Sequence, residues 1–233
     1  MNALGTPIKY KEHNIDFGKN EQKEPWFLKM NPNGRIPVVV NRDAGDLAIW
    51  ETGSILRYLS EVYDKNYNLH FDNIEEETEM YNWIYFQHGG YGPMAGQAGH
   101  FLNAAPEKVP YAAKRYLEES ARLLEVYEKR LAQDGGRDYL VGKEKGKFSY
   151  ADISIFPWIR AHPYSLGLSS LEKDYPNIVK WMKRIEAREG TKKAIAGDMV
   201  EKIKSKDGWE QEAEKKREWV YTGEKEDKKK DEL

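Results

Sequence analysis

NPNGRIPVVVNRDAGDLAIWETGSILRYLSEVY, residues Asn31 to Tyr63, alternates turn residues with short apolar runs, and this alternation decides the fold. Asn31-Pro32-Asn33-Gly34 is turn-rich and leads through Arg35-Ile36-Pro37 into Val38-Val39-Val40, a run short enough for a buried strand. Asn41 to Asp46 holds the punctuation of a hairpin, with Asp43 and Gly45 inside it. Leu47-Ala48-Ile49-Trp50 is a second short strand. Glu51-Thr52 then opens a helix whose apolar face is predicted at Ile55, Leu59 and Val62, spaced i, i+4, i+7.

A helix that starts directly after a strand exposes unpaired backbone amides and the positive end of its dipole, a favourable place for an anion. Thr52 can add a hydroxyl donor and Glu51 can accept from an ammonium group. Together they suit the carboxylate and amine of an α-amino acid. The same pair also suits an ordinary helix start, with Glu and Thr serving as caps.

This stretch resembles the glutathione-binding half of a glutathione transferase, in which a proline comes after the substrate-pairing residue, then two strands, then an acidic-hydroxyl pair opening a helix. The resemblance implies an α/β thioredoxin-like N-terminal domain followed by an all-α C-terminal helical domain. It implies a cis Ile36–Pro37 bond, with Pro37 structural. The Ile36 backbone would pair with the cysteinyl part of glutathione, and Glu51 and Thr52 would hold the γ-glutamyl end. Arg35 is carried over with them, and Gln22 is a candidate for the glycyl end. Glutathione would be the co-substrate, its thiolate attacking a small electrophile, a disulfide or a peroxide. The residue that lowers the thiol pKa sits in that family just after the first strand, and no residue of this chain matches it. A non-catalytic glutathione-binding or regulatory protein on the same fold is therefore the alternative.

The chain has 233 residues, enough for one or two domains with a sizeable core. A net charge of -2 and 33% charged residues point to neither nucleic acid nor a bilayer as the main partner. With 0 cysteines there is no disulfide framework, thiolate metal site or cysteine nucleophile.

Upstream of the organising stretch, Met1 to Leu4 is short and apolar, and Gly5-Thr6-Pro7 is a turn. Ile8-Lys9-Tyr10-Lys11 alternates as a half-buried strand does, and Pro25 suits the first position of a short helix to Met30. The resulting order, β-α-β-β-α, lacks the first strand and most of the first helix of the domain it resembles. The expectation is that Met1 is not the natural start; a true short form with an altered sheet is the alternative.

The predicted domains are 1–66, thioredoxin-like and incomplete; 74–197, all helical; and 198–233, a charged tail. Tyr67 to Asn73 reads as a polar connection between the first two. A helix from Glu75 to Tyr85 runs into the glycine-rich segment Gln87 to Phe101, where Pro93 should kink it. Phe86-Gln87, Pro93-Met94, Gly96-Gln97 and His100-Phe101 resemble one fungal branch of these transferases, the branch that includes the yeast nitrogen-catabolism regulator. By that resemblance Tyr91, Met94 and His100 would line the pocket for the second substrate. His88 and His100 match no metal-ligand spacing, so no metal is expected.

Ala112 to Ala132 is an amphipathic helix with Leu117, Ala121, Leu124 and Leu131 inward. Ser149-Tyr150-Ala151-Asp152 reads as a variant capping box, which makes Ser149 and Asp152 structural rather than catalytic. Pro176 opens a helix with Ile178, Trp181, Met182 and Ile185 on one face, and the stretch from Glu201 reads as a solvated helix or flexible tail, with docking of Trp209 and Trp219 on the body as the alternative. Lys230-Asp231-Glu232-Leu233 spells an ER-retention address, but no signal peptide is visible, so a cytoplasmic location is expected. The resemblance also implies a homodimer.

Overall fold

A computed structural model describes residues 8–231, with side chains through Tyr221. The short N-terminal run Met1 to Leu4, the Gly5-Thr6-Pro7 turn and the last two residues of the retention string lie outside the described residues. The chain divides into two compact units, Met1–Glu77 and Thr78–Leu233.

The first unit is built on a two-stranded antiparallel sheet among the described residues, β1 (Val38–Asn41) against β2 (Leu47–Trp50). The register pairs Val38 with Trp50, Val39 with Ile49, Val40 with Ala48 and Asn41 with Leu47. The hairpin turns at Gly45, whose φ of 66° is the left-handed conformation that glycine adopts without a Cβ penalty. α1 (Pro25–Leu28) precedes the sheet and α2 (Thr52–Tyr63) comes after it. Asn41 ties hairpin to helix, its Nδ2 donating to Tyr58 Oη at 2.7 Å and to Tyr63 Oη at 3.0 Å.

Three expectations for this unit are corrected. Ile8 to Lys11 is not a strand; it is irregular, and Tyr10 is 78% exposed. A strand needs a ladder partner, and none of the described residues supplies one. The buried face of α2 is Ile55, Leu56 and Ser60, while Val62 is exposed. The polar connection after α2 is buried at Leu69, His70 and Phe71. Asp64, fully buried, makes this possible: it accepts from Asn68 N at 2.9 Å, Leu69 N at 2.7 Å and His70 Nδ1 at 2.8 Å.

The second unit is helical. α3 (Ile74–Phe86), most of which belongs to it, passes through a π turn at Gln87–Tyr91 into α4 (Gly92–Asn103). Pro93, where a kink is expected, is the second residue of α4, just after the wider turn. The wider turn takes up one extra residue, and the helical path continues rather than breaking. α5 (Pro110–Ala132) packs along α4, and its buried face includes Leu117, Ser120, Leu124, Tyr127 and Leu131; Ala121 is only half-buried.

α6 (Tyr150–Arg160) is mostly buried, with Pro157 and Trp158 exposed, and α7 (His162–Ser165) comes directly after it. The capping box is present, and Asp152 does more than cap. Besides Ser149 N at 3.0 Å it accepts from Trp181 Nε1 at 2.8 Å and Leu140 N at 3.2 Å, joining α6 to α8 (Pro176–Glu186) and to the segment before it. Glu128 on α5 caps α8, accepting from Asn177 N at 3.1 Å and Ile178 N at 2.9 Å.

α9 (Glu189–Ile195), α10 (Met199–Lys204) and α11 (Trp209–Asp231) complete the chain. The expected solvated tail is corrected: α11 packs on α5, burying Ala213 and Val220, while Lys108 Nζ lies 5.3 Å from the centre of the Trp219 ring. Gly167 sets how closely α11 can approach. It sits at φ 60°, and a Cβ there would lie 2.9 Å from Ala213 O.

Candidate functional site

The pairing of Val38 with Trp50 puts the chain entering β1 and the chain leaving β2 at the same end of the hairpin. Pro37 and Glu51 are the next residues out. The Ile36–Pro37 bond is cis, as the resemblance implies. Ile36 is 52% exposed, and neither its N–H nor its C=O is engaged in a hydrogen bond among the described residues. Open backbone groups therefore lie where a peptide-like ligand can pair with them.

Glu51 is the N-cap of α2 and sits at φ 66°, ψ 125°. A non-glycine residue in that region costs about 1–3 kcal/mol, and such conformations cluster at functional sites. Glu51 O accepts from Ile55 N at 2.9 Å, which starts the helix, while its exposed carboxylate makes no hydrogen bond among the described residues. The first-turn amides at Thr52, Gly53 and Ser54 face the positive end of the helix dipole. An anion placed there meets donors, and an ammonium beside it meets Glu51.

Gln22 is brought to the same region by a glycine. Gly34, at φ 62°, rests so close to Gln22 that a Cβ would lie 2.8 Å from Gln22 O. Gln22 Nε2 donates to Asn20 Oδ1 at 3.1 Å, and its Oε1 is buried without a partner among the described residues. Arg35 is exposed and forms no ion pair among the described residues. Sequence reasoning misses Asn31, which holds this loop: buried, it donates from Nδ2 to Arg35 O at 2.6 Å and accepts from Asn33 N at 3.0 Å. The Asn-Pro-Asn-Gly turn signal is its only trace in the sequence.

An open groove of about 550 Å³ runs along β2 and α2, lined by Leu47 to Glu51, Ser54, Arg57, Tyr58 and Glu61. It includes Glu51 but none of the other predicted site residues.

One member of the second-substrate set lies elsewhere than expected. Tyr91 is fully buried, its ring meeting Tyr127 edge-on at 6.1 Å, so its place as a lining residue is corrected to one in the core of the second unit. Tyr91 is the last residue of the π turn. Met94 is half-buried, and His100 is exposed beside Phe101, with ring centres 5.2 Å apart. No group of three or more His, Asp or Glu able to hold a metal occurs among the described residues.

Residues 5–61 match the family model for the N-terminal domain of glutathione S-transferase, and residues 92–189 match the model for its C-terminal domain. A curated relative, the disulfide-bond oxidoreductase YfcG of Escherichia coli, is 35% identical over 81% of this chain and 84% of its own. The chain belongs to the glutathione S-transferase family. Among solved structures, the glutathione transferase URE2P6 of Phanerochaete chrysosporium, in complex with oxidized glutathione, is 37% identical with a TM-score of 0.75, covering 83% of this chain and 85% of that one. Ure2p in complex with glutathione is 31% identical with a TM-score of 0.72, covering 77% and 83%. This glutathione S-transferase family member has the family's fold, a small thioredoxin-like unit followed by a helical one.

Proposed function

We propose that the first unit binds glutathione and presents its thiolate to an electrophile, a disulfide or a peroxide. One observation carries the reading: the Val38–Trp50 pair gathers the open backbone of Ile36 and the amide-rich start of α2 at one end of a hairpin. In this reading Ile36 pairs with the cysteinyl backbone. Thr52 and the first-turn amides of α2 hold the γ-glutamyl carboxylate, and Glu51 accepts from its ammonium. Gln22 lies at the glycyl end, and Arg35 adds a cation.

Similarity to a protein named a disulfide-bond oxidoreductase supports disulfides among the reaction partners. A second reading, a regulatory protein that binds glutathione without turnover, rests on the same residues. Holding the ends of a tripeptide and ionising its sulfur are separate tasks, and the groups gathered here serve the first. A homodimer belongs to both readings, and sizing at low protein concentration tests it.

Calorimetric titration of the full chain with reduced glutathione, followed by assays with 1-chloro-2,4-dinitrobenzene and hydroxyethyl disulfide, separates the readings. Binding with turnover supports the enzyme, and binding without turnover supports the regulator. Failure to bind removes both.

A further inference from the structure

Three hydroxyls in the core of the second unit have no hydrogen-bond partner among the described residues: Tyr91 Oη, Tyr127 Oη and Ser120 Oγ. All three residues are buried. Ser120 and Tyr127 lie two turns apart on the inward face of α5, and a long helical side chain leans back toward the helix N-terminus. The Tyr127 ring therefore leans toward the level of Ser120. Tyr91 meets that ring edge-on, with an interplanar angle of 87°.

A fourth hydroxyl marks the same level: Tyr175 Oη donates to Ala121 O, the residue after Ser120, at 3.4 Å. Burial, and then the neighbouring phenols, push the ionisation of Tyr91 and Tyr127 well above the ordinary tyrosine range, the neighbour being Tyr175 for the first and Tyr91 for the second. The other close neighbours of Tyr127 are the rings of Trp83 and Phe86, with centres 5.4 and 5.3 Å away. Neither ring carries a strong acceptor.

A buried hydroxyl left unmet costs about 1–3 kcal/mol, and native cores leave few of them. Two phenols whose rings touch, both left unmet, call for a shared partner. We propose that Tyr91, Tyr127 and Ser120 enclose one internal water molecule, with Tyr175 at its margin. Water suits the site because it can donate twice and accept twice, and buried waters typically make about three hydrogen bonds. Such a water ties the end of the π turn to the middle of α5. It also gives Tyr91 a reason to point inward. The inference is independent of the glutathione reading.

Tyr91→Phe, Tyr127→Phe and the double variant test it by thermal unfolding of the full chain. If a water bridges the two phenols, each single change lowers Tm by a few degrees, and the double variant loses clearly less than the sum. Single changes that raise Tm, or losses that simply add, overturn the proposal. A high-resolution crystal structure gives a second measurement that needs no variant. Water density about 3 Å from both phenolic oxygens supports the proposal; a dry core, or the two oxygens bonded directly to each other, overturns it.

Discussion

Val38 faces Trp50 across the hairpin, and that pair brings the ends of two different chain segments to one place. Ile36-Pro37 arrives from one side, and Glu51-Thr52 leaves from the other. If this is where glutathione binds, Glu51→Ala removes a charged acceptor from the ammonium of the ligand. Binding should weaken by about 1.5–3 kcal/mol, the usual worth of a charged hydrogen bond. Calorimetric titration measures it, and an unchanged dissociation constant takes Glu51 out of the site.

The backbone of Glu51 allows a second, opposite-signed test. At φ 66° glycine is more at ease than glutamate. Glu51→Gly should leave stability unchanged or raise it by up to about 1 kcal/mol, while glutathione binding falls as in Glu51→Ala. Urea unfolding together with titration reads both. A variant that loses stability would show that the side chain serves the fold.

Asp152 should show its position in the pH dependence of stability. Burial pushes its pKa up to about 6, and the hydrogen bonds from Trp181, Leu140 and Ser149 only partly oppose that. The folded state thus holds a proton that the unfolded state has already released. Stability from this group is greatest near pH 4 and declines as pH rises to about 6, by at most about 1.4 kcal/mol per pH unit. Asp152→Asn should flatten that decline. Asp152→Ala, which strands buried donors on Trp181, Leu140 and Ser149, should cost about 3–5 kcal/mol by urea unfolding.

Asp64 should behave in the opposite sense. Burial alone would raise its pKa, but hydrogen bonds from His70, Leu69 N and Asn68 N outweigh this and hold it below the ordinary carboxylate value. Its contribution is present at neutral pH and is lost as pH falls below about 4. Hydrogen exchange at the Asn68 and Leu69 amides should quicken in that range, and in Asp64→Ala it should be fast at every pH. Protection that persists in the variant would mean that Asp64 does not hold the segment.

Gly167 controls the docking of α11. Gly167→Val meets Ala213 O and forces a positive φ on a β-branched residue, so α11 should lift from α5. A loss of about 1–3 kcal/mol and faster exchange along residues 209–221 are expected. Unchanged protection there would show that the helix seats without that contact.

The hairpin, the start of α2 and the box at Ser149 are legible because their signals are local: turn residues, short apolar runs, and a cap with its partner three residues on. Ile8 to Lys11 alternates just as well, yet a strand exists only with a neighbour, and its neighbour is not encoded in its own pattern. Asp64 escapes notice for a similar reason, since His70 and two backbone amides turn a polar stretch into a buried one. The docking of α11 is hard to read because its fully buried residues, Ala213 and Val220, are seven positions apart amid charge. At the candidate site, the helix start at Glu51 is legible from the order of elements and Ile36 enters only through the resemblance, whereas Asn31 is not legible, since nothing in a turn motif says which amide faces inward.

The wide turn from Gln87 to Tyr91 also fixes the angular phase of every later residue along α4. Each residue of an α-helix advances about 100° around the axis. Removing one glycine, Gly89 or Gly90, would let an ordinary α turn replace the wide one and leave Met94, Gln97 and His100 facing nearly as before, because the wide turn already takes up one extra residue. In this fold a single-codon deletion within the wide turn would shorten the chain without re-aiming that wall of the helical unit, whereas the same deletion inside α4 would rotate everything after it.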